Sequence, residues 1–436
     1  MIISLQLRKR QHRLIIFFLY FQVISFYNND MNLSKIKSKK LYIAGGAVLL
    51  LAVAGLGLLI SKQSKKSAEQ TLNLAFYNLP EKVTKALEED ISKAGFAKVH
   101  FKNLSLEEII SEKTTKNFDM IFTFDGVTAA NLKDKGANFS GKFFNMIPTS
   151  LRRENEEDNK KALPLLLDHF EFSYNNPISQ KIGMENPQTF DQLLKYLEAA
   201  KKYAFTPFFT NGGDDEILLG LISCLIEAKG GYDAYSDFVK NVRKNPSLEN
   251  IINLKLGKAG NVSLAEVLNL LRSWAENGIV HPNWYYGKYR DVIAFIEDGQ
   301  VALLFTKLSV HRTIPYKLIR TFSTERAPVQ SASVDHAVIA PAIYAVKLSR
   351  KSINDKVLLA LLSEDGQSSL SMKTQLGPVA LRGESYDVQA DDVRFFAASC
   401  RYGSRPGILL DAFTPASESS KKLCEGIRSY LSSGRY

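Results

Sequence analysis

The sequence predicts an α/β protein: an open sheet-and-helix body in two lobes, set behind one membrane-length apolar segment. Three observations predict it. Residues 72–126 alternate strand, helix, strand, helix, strand by hydrophobic period. The body after about residue 70 is too long for one typical core and suits two lobes. Leu41–Ile60 is a run of twenty residues without a charge. At about 1.5 Å per helical residue it spans roughly 30 Å, one bilayer hydrocarbon core.

The charge follows the same division. The chain carries a net charge of +11, but residues 1–72 hold +9 of it and the remaining 364 residues only +2. The basic character therefore belongs to the flanks of the apolar run, and this argues against a nucleic-acid partner. Lys35, Lys37, Lys39 and Lys40 precede the run, and Lys62, Lys65 and Lys66 follow it. That slight excess favours a cytoplasmic start and an exported body, in the periplasm or on the extracellular side of the cytoplasmic membrane. Twenty residues is long for a signal-peptide core, and Ser67-Ala68 is a poor cleavage site, so an uncleaved anchor is favoured over a cleaved signal. Met31 opens a compact lysine-rich leader, which makes residues 1–30 a candidate for sequence upstream of the true start. No cysteine precedes Cys224, so a lipid cannot be attached near the run and the helix alone must hold the protein down.

Within the body, Leu72, Leu74 and Phe76 alternate as a strand. Pro80 opens a helix with Val83, Leu87 and Ile91 on one face. Ala97–Phe101 alternates again, Ser105 and Glu108 form a capping box, and Phe118–Phe122 is a third strand ending at Asp125-Gly126. Residues 131–162 are polar and irregular. Leu165–Tyr174 reads as one extended crossing between lobes, closed by Asn175 and Pro177. The next part is mostly helical: capping boxes stand at Thr189–Gln192 and Ser263–Glu266, and Ile217–Ala228 is a buried helix. Tyr289–Glu297 is a short helix and Val301–Phe305 a strand. His336–Val346 is extended, Asn354–Leu362 is helical, and Asp411–Tyr436 holds one or two terminal helices. The three cysteines leave two readings open, a Cys400–Cys424 bridge or three free buried thiols.

Several of these stretches, in this order, resemble the bacterial extracellular solute-binding proteins of ABC importers, the sugar-type branch in particular. Ala162–Leu165 through Phe172–Asn175 is similar to that family's crossing segment. Pro187–Leu193 resembles its Pro-x-Thr-Trp-acid-x-Leu helix start, with Phe190 in place of the tryptophan. Thr206–Asn211 resembles a strand and loop before a helix. Tyr289–Phe305 is similar to the helix, Phe, acid-Gly-Gln, small-apolar-strand block, here carried by Phe295, Asp298-Gly299-Gln300 and Ala302. Leu376–Ala380 is like a late Gly-Pro segment. The resemblance runs over about residues 72–430. It implies a two-lobed, periplasmic-binding-protein-like α/β fold with a hinge, a small polar ligand closed between the lobes, permease subunits as partners, and no cofactor.

The expected organisation is a leader over 1–40, an anchor over 41–60 and a linker over 61–71. One lobe comprises 72–168 and 337–365, and the other 169–336 and 366–436. Enzyme motifs are scarce: there is no HExxH, GxSxG or P-loop, and the six histidines are dispersed. No catalytic or metal-ligating set is therefore assigned.

Candidate ligand contacts come from strand ends and aromatic loops. In open α/β sheets ligands gather at the carboxyl ends of strands. Tyr77 and Asn78 follow the first strand, Asp125 the third, and Tyr174 sits in the crossing. Asn211, Asp214 and Asp215 follow the Thr206 strand, where the carboxylates either meet a ligand or cap the next helix. Trp284 and Tyr285 belong to the main aromatic cluster, whose faces could stack on a sugar ring. The resemblance departs after Val301–Phe305, where the family often carries Gly-Ser-Trp and this chain has Lys307–His311. The missing tryptophan puts a carbohydrate ligand in doubt, while His311 and Arg312 suit a more polar or anionic one. Two other readings stand beside capture for import. One is a binding fold that has lost transport and serves as an envelope interaction protein. The other is a membrane-anchored envelope enzyme.

Overall fold

A computed structural model describes residues 71–434, apart from 97, 149–150, 152–159, 261, 331–338, 381, 384–389 and 395–403. Gln70–Tyr436 is one compact unit, the α/β body. The anchor expected over Leu41–Ile60 and the Cys400 of the expected bridge lie outside the described residues. No described helix is long and apolar enough to cross a membrane.

The body has two sheets. The first is built from β1 (Leu72–Tyr77), β2 (Val99–Asn103), β3 (Met120–Phe124), β4 (Ala162–Leu167), β9 (Ala342–Lys347) and β10 (Gly377–Pro378), in the order β10-β4-β9-β3-β1-β2. The second contains β5 (Phe170–Asn175), β6 (Thr206–Phe209), β7 (Val301–Lys307) and β8 (Phe322–Glu325), in the order β6-β7-β5-β8. β2, β1 and β3 are parallel, as the strand-helix-strand reading requires. β9 runs antiparallel between β3 and β4.

The third strand starts two residues later than the alternation suggested, because Asp119 is used as a polar bracket. Its carboxylate accepts the Asn73 amide at 2.9 Å and the Ser349 hydroxyl at 2.7 Å, and it pairs with Lys351 at 2.9 Å. β2 also lies two residues later and takes in Lys102 and Asn103. As the edge strand it tolerates them, since their side chains face water. All three expected capping boxes form, at Ser105/Glu108, Thr189/Gln192 and Ser263/Glu266.

Each sheet anchors its own core. Leu74, Phe76, Ile121, Phe122, Leu166 and Val346 centre the first. Phe172, Leu193, Phe208, Leu225, Leu268 and Phe305 centre the second. The Asp215–Lys244 helix lies on the second sheet through Gly220, where a Cβ would come within 2.3 Å of the Phe170 ring. That helix is kinked at Gly231, whose φ of +74° only glycine adopts readily.

The expected single extended crossing over 165–174 is two strands of different sheets, with the change of lobe at Asp168-His169. The chain crosses again between Ile339, in the second core, and Ala342, in the first. The Ile408–Ala412 helix straddles the junction, with Ile408 against the second core and Leu410 against the first, and the chain is back in the second core at Phe413.

The described residues of 366–394 differ from their expected allotment to the second lobe: they pack on the first. β10 pairs with β4, and Leu370, Leu376, Val379 and Val393 join the first core. Gln367, fully buried, explains the placement. Its amide NH2 donates to the carbonyls of Leu165 and Leu361, each at 3.0 Å, and its oxygen accepts the amides of Val379 and Ala380. A buried amide so fully satisfied fixes both the Glu364–Thr374 helix and the loop after it. Lys373 completes the attachment through Asp90 and Glu89.

Candidate functional site at the junction of the lobes

Strand direction decides where a ligand could be held. In the first sheet the carboxyl ends of β1, β3 and β4 share one edge with the start of β9. In the second, the carboxyl ends of β6 and β7 lie beside the start of β5. The first crossing runs from the end of β4 to the start of β5, so the two sets of strand ends meet at the junction.

Asp168 occupies that crossing and is almost wholly buried. Its Oδ1 accepts the amides of His169 and Ser309, each at 3.0 Å, and its Oδ2 accepts the Ser309 hydroxyl at 2.6 Å. Lys307, the last residue of β7, places its ammonium 2.6 Å from Glu216 Oε2 and 3.8 Å from Asp168 Oδ2. The same ammonium lies 5.8 Å from the centre of the Phe124 ring, which belongs to the first lobe. Burial disfavours the charged lysine, but the Glu216 and Asp168 carboxylates outweigh it and hold the Lys307 pKa above its usual value. Burial pushes the Glu216 carboxyl up, against the pull of Lys307.

A second acid–base pair sits on the other face of the same strands. Glu171 neighbours Thr306 across the sheet, and its Oε1 lies 2.5 Å from His311 Nδ1. Ser173 Oγ is 3.4 Å from the same ring nitrogen. Burial raises the Glu171 carboxyl, with His311 and Arg312 opposing. Burial, with Arg326 adding to it, drives His169 at the crossing down to about 3, so this histidine is neutral at physiological pH.

The residues singled out from sequence divide sharply. Tyr77 is buried at the end of β1, and its hydroxyl donates to the Pro415 carbonyl at 2.7 Å. Burial pushes that phenol up to about 12. Asn78 is exposed at the same strand end, in the left-handed region at φ +52° that asparagine tolerates. Asp125 lies at the expected edge, and its Oδ1 accepts the Gly126 amide at 2.7 Å, as in a turn. Asn211 is buried in the loop after β6, and its Oδ1 has no partner among the described residues. His311 and Arg312 follow β7 at the junction, but His311 is committed to Glu171.

The other candidates are corrected by the structure. Tyr174 points into the second core, edge to face with Tyr196 at 5.2 Å, and sits at the end of β5 away from the crossing. Trp284 and Tyr285 are core side chains as well. Gly212 rides on the Trp284 ring so closely that a Cβ would lie 2.6 Å from it. The indole therefore supports the Gly212-Gly213 loop from beneath and offers no open face for stacking. Asp214 caps the following helix, accepting the amides of Glu216 at 2.8 Å and Ile217 at 3.4 Å. Asp215 pairs with Arg428 at 2.8 Å. Of the acidic run only Glu216 faces the junction.

Sequence reasoning missed Asp168, Glu171, Glu216 and Lys307. The signal was there: two acids inside the apolar run 165–174, and a lysine ending a buried strand whose other residues, Thr306 apart, are apolar. Charges in such positions are retained only where a partner waits.

No family model and no curated sequence relative matches the chain. Solved structures do. The bacterial solute receptor AcbH, described as having an exclusive preference for β-D-galactopyranose, matches with a TM-score of 0.65 at 13% identity, over 83% of this chain and 92% of that one. The putative binding protein MsmE of Bacillus subtilis, in an open conformation, matches at 0.66 and 13%, over 85% and 94%. A Bacillus licheniformis sugar transporter in complex with stachyose matches at 0.56 and 13%, over 84% and 99%. The body therefore has the two-lobed α/β fold of bacterial sugar and oligosaccharide solute-binding proteins. The resemblance read from the sequence is borne out at the level of fold.

Proposed function

We propose that this chain is a membrane-tethered, extracytoplasmic solute-binding protein that captures a small polar ligand between its lobes for an ABC-type permease. One observation carries the reading. Each sheet carries its own core, short crossings at Asp168-His169 and Ile339–Ala342 join them among the described residues, and the strand ends of both sheets meet at the junction. This is the arrangement that allows hinge closure around a solute. Ligand contacts to both lobes would stabilise the closed state, and no bond is made or broken.

The ligand class we favour is a sugar or oligosaccharide, supported by the galactopyranose preference of AcbH and the stachyose complex. An anionic ligand is less well supported than the sequence alone suggested, because Glu171 faces His311 and Glu216 faces Lys307. The Leu41–Ile60 run would tether the body, with Lys35–Lys40 on the cytoplasmic side.

A second reading has its own support. Trp284 is buried, the Tyr77 hydroxyl is spent on Pro415, and Lys307 fills the junction from within. Those features suit a binding fold kept as an envelope interaction protein. Calorimetric titration with galactose, raffinose-type and chitin-type oligosaccharides separates the two: saturable binding supports capture, and silence across the panel supports the interaction protein.

A further inference from the structure

We infer that the junction contains an ammonium-binding box occupied by the protein's own Lys307, and that this internal occupant holds the lobes together without a solute. The inference goes beyond capture and stands whether or not a sugar binds.

The box has walls from three places. Phe124 comes from the first lobe, Asp168 from the crossing and Glu216 from the second lobe. The Lys307 ammonium contacts all three: Glu216 at 2.6 Å, Asp168 at 3.8 Å, and the Phe124 ring at 5.8 Å from its centre. A carboxylate pair with an aromatic wall is the chemistry that recognises a primary ammonium. The walls are also fixed in advance. Asp168 is held by two backbone amides and the Ser309 hydroxyl. Glu216 lies in the first turn of a helix whose cap, Asp214, and whose first residue, Asp215, are both otherwise engaged.

The next residue extends the clasp. Leu308 belongs to the second lobe by chain, since it follows β7 directly, yet it is completely buried among the residues of the first core. Its amide donates to the His169 carbonyl at 2.9 Å, which fixes the Lys307-Leu308 pair against the crossing. Separating the lobes would take Lys307 off Phe124 and draw Leu308 out of the first core in one movement. Both losses oppose opening.

The test is a distance measurement on the full-length chain in nanodiscs without added solute. Spin labels are attached at Ile110→Cys in the first lobe and Tyr286→Cys in the second, both exposed positions, in a Cys400→Ser background. The clasp predicts one narrow distance distribution for the parent. Lys307→Ala should give a broader distribution with longer distances. Butylammonium should restore the narrow one saturably, and butanol should not. If Lys307→Ala fails to fold, Lys307→Met, which keeps the length and loses the charge, must show the same lengthening. A parent-like distribution in the variant read would overturn the clasp. Equal restoration by butanol would overturn its ammonium character. Because the readout needs no solute, its failure is distinct from a failure of sugar binding.

Discussion

Gly126 meets the backbone of Leu410 so closely that a Cβ on the glycine would lie 2.0 Å from the Leu410 carbonyl oxygen. Gly126 follows β3 in the first lobe, and Leu410 belongs to the Ile408–Ala412 helix that straddles the junction. The glycine also has φ +110°, a conformation L-residues rarely adopt. Gly126→Ala should therefore destabilise by roughly 1–3 kcal/mol from backbone strain alone, and the collision adds to that. Urea denaturation should show the loss, and an unchanged midpoint would mean the Ile408–Ala412 helix is not docked there.

Arg428 clamps the loop that precedes the longest helix. Its guanidinium pairs with Asp215 at 2.8 Å and donates to the carbonyls of Tyr285, Gly212 and Gly213. Arg428→Ala strands several acceptors at once and should cost about 2–3 kcal/mol. Arg428→Lys should recover only part of it, since an ammonium cannot reproduce the fork. Thermal unfolding of the two variants checks the order.

The Lys307–Glu216 pair should behave as a buried pair does. Either Lys307→Met or Glu216→Leu alone should cost about 3–5 kcal/mol, while the double substitution should cost far less. The pH dependence follows from the raised Lys307 pKa. The charged lysine is favoured in the fold, so its contribution is complete below the unfolded value near pH 10 and is lost as pH rises through the folded one. A double-mutant cycle at pH 8, repeated at pH 11, should show the coupling and then its decline.

His169 gives the opposite window. Its pKa falls to about 3 in the fold, against about 6.5 unfolded. The unfolded chain therefore binds the proton first, and stability drops as pH falls from about 6.5 toward 3. From pH 7 to pH 4 this one group should contribute a loss of about 3 kcal/mol. His169→Gln removes it while leaving the carboxylates, so the variant should lose that much less over the same range. Denaturant midpoints at the two pH values compare them.

Local rules made much of the fold legible. The capping boxes at Ser105, Thr189 and Ser263 begin helices where side chain and backbone satisfy each other, whatever lies around them. Asp125-Gly126 ends β3 as the turn chemistry required. Long-range facts were hidden. Nothing local to Gln367 announces that its amide will bind Leu165, so the lobe boundary near residue 366 was misplaced. Trp284 read as a stacking platform because loop aromatics next to glycine suit sugars. Its true partner is the Gly212 backbone, some seventy residues earlier in the chain. Asp168 drew no notice, and Lys307 only as the start of a stretch lacking the family's tryptophan, since each is meaningful only once β5 and β7 are paired.

The central claim is solute capture between the lobes, and a thermal-shift titration of the full-length protein against sugars and oligosaccharides tests it most directly. A ligand at about 100 times its dissociation constant should stabilise the body by about 2.7 kcal/mol. A saturable upward shift with one sugar class, lost in a variant of the junction such as Asn211→Ala, is the predicted result. No shift with any member of the panel would contradict capture and leave the interaction-protein reading in its place.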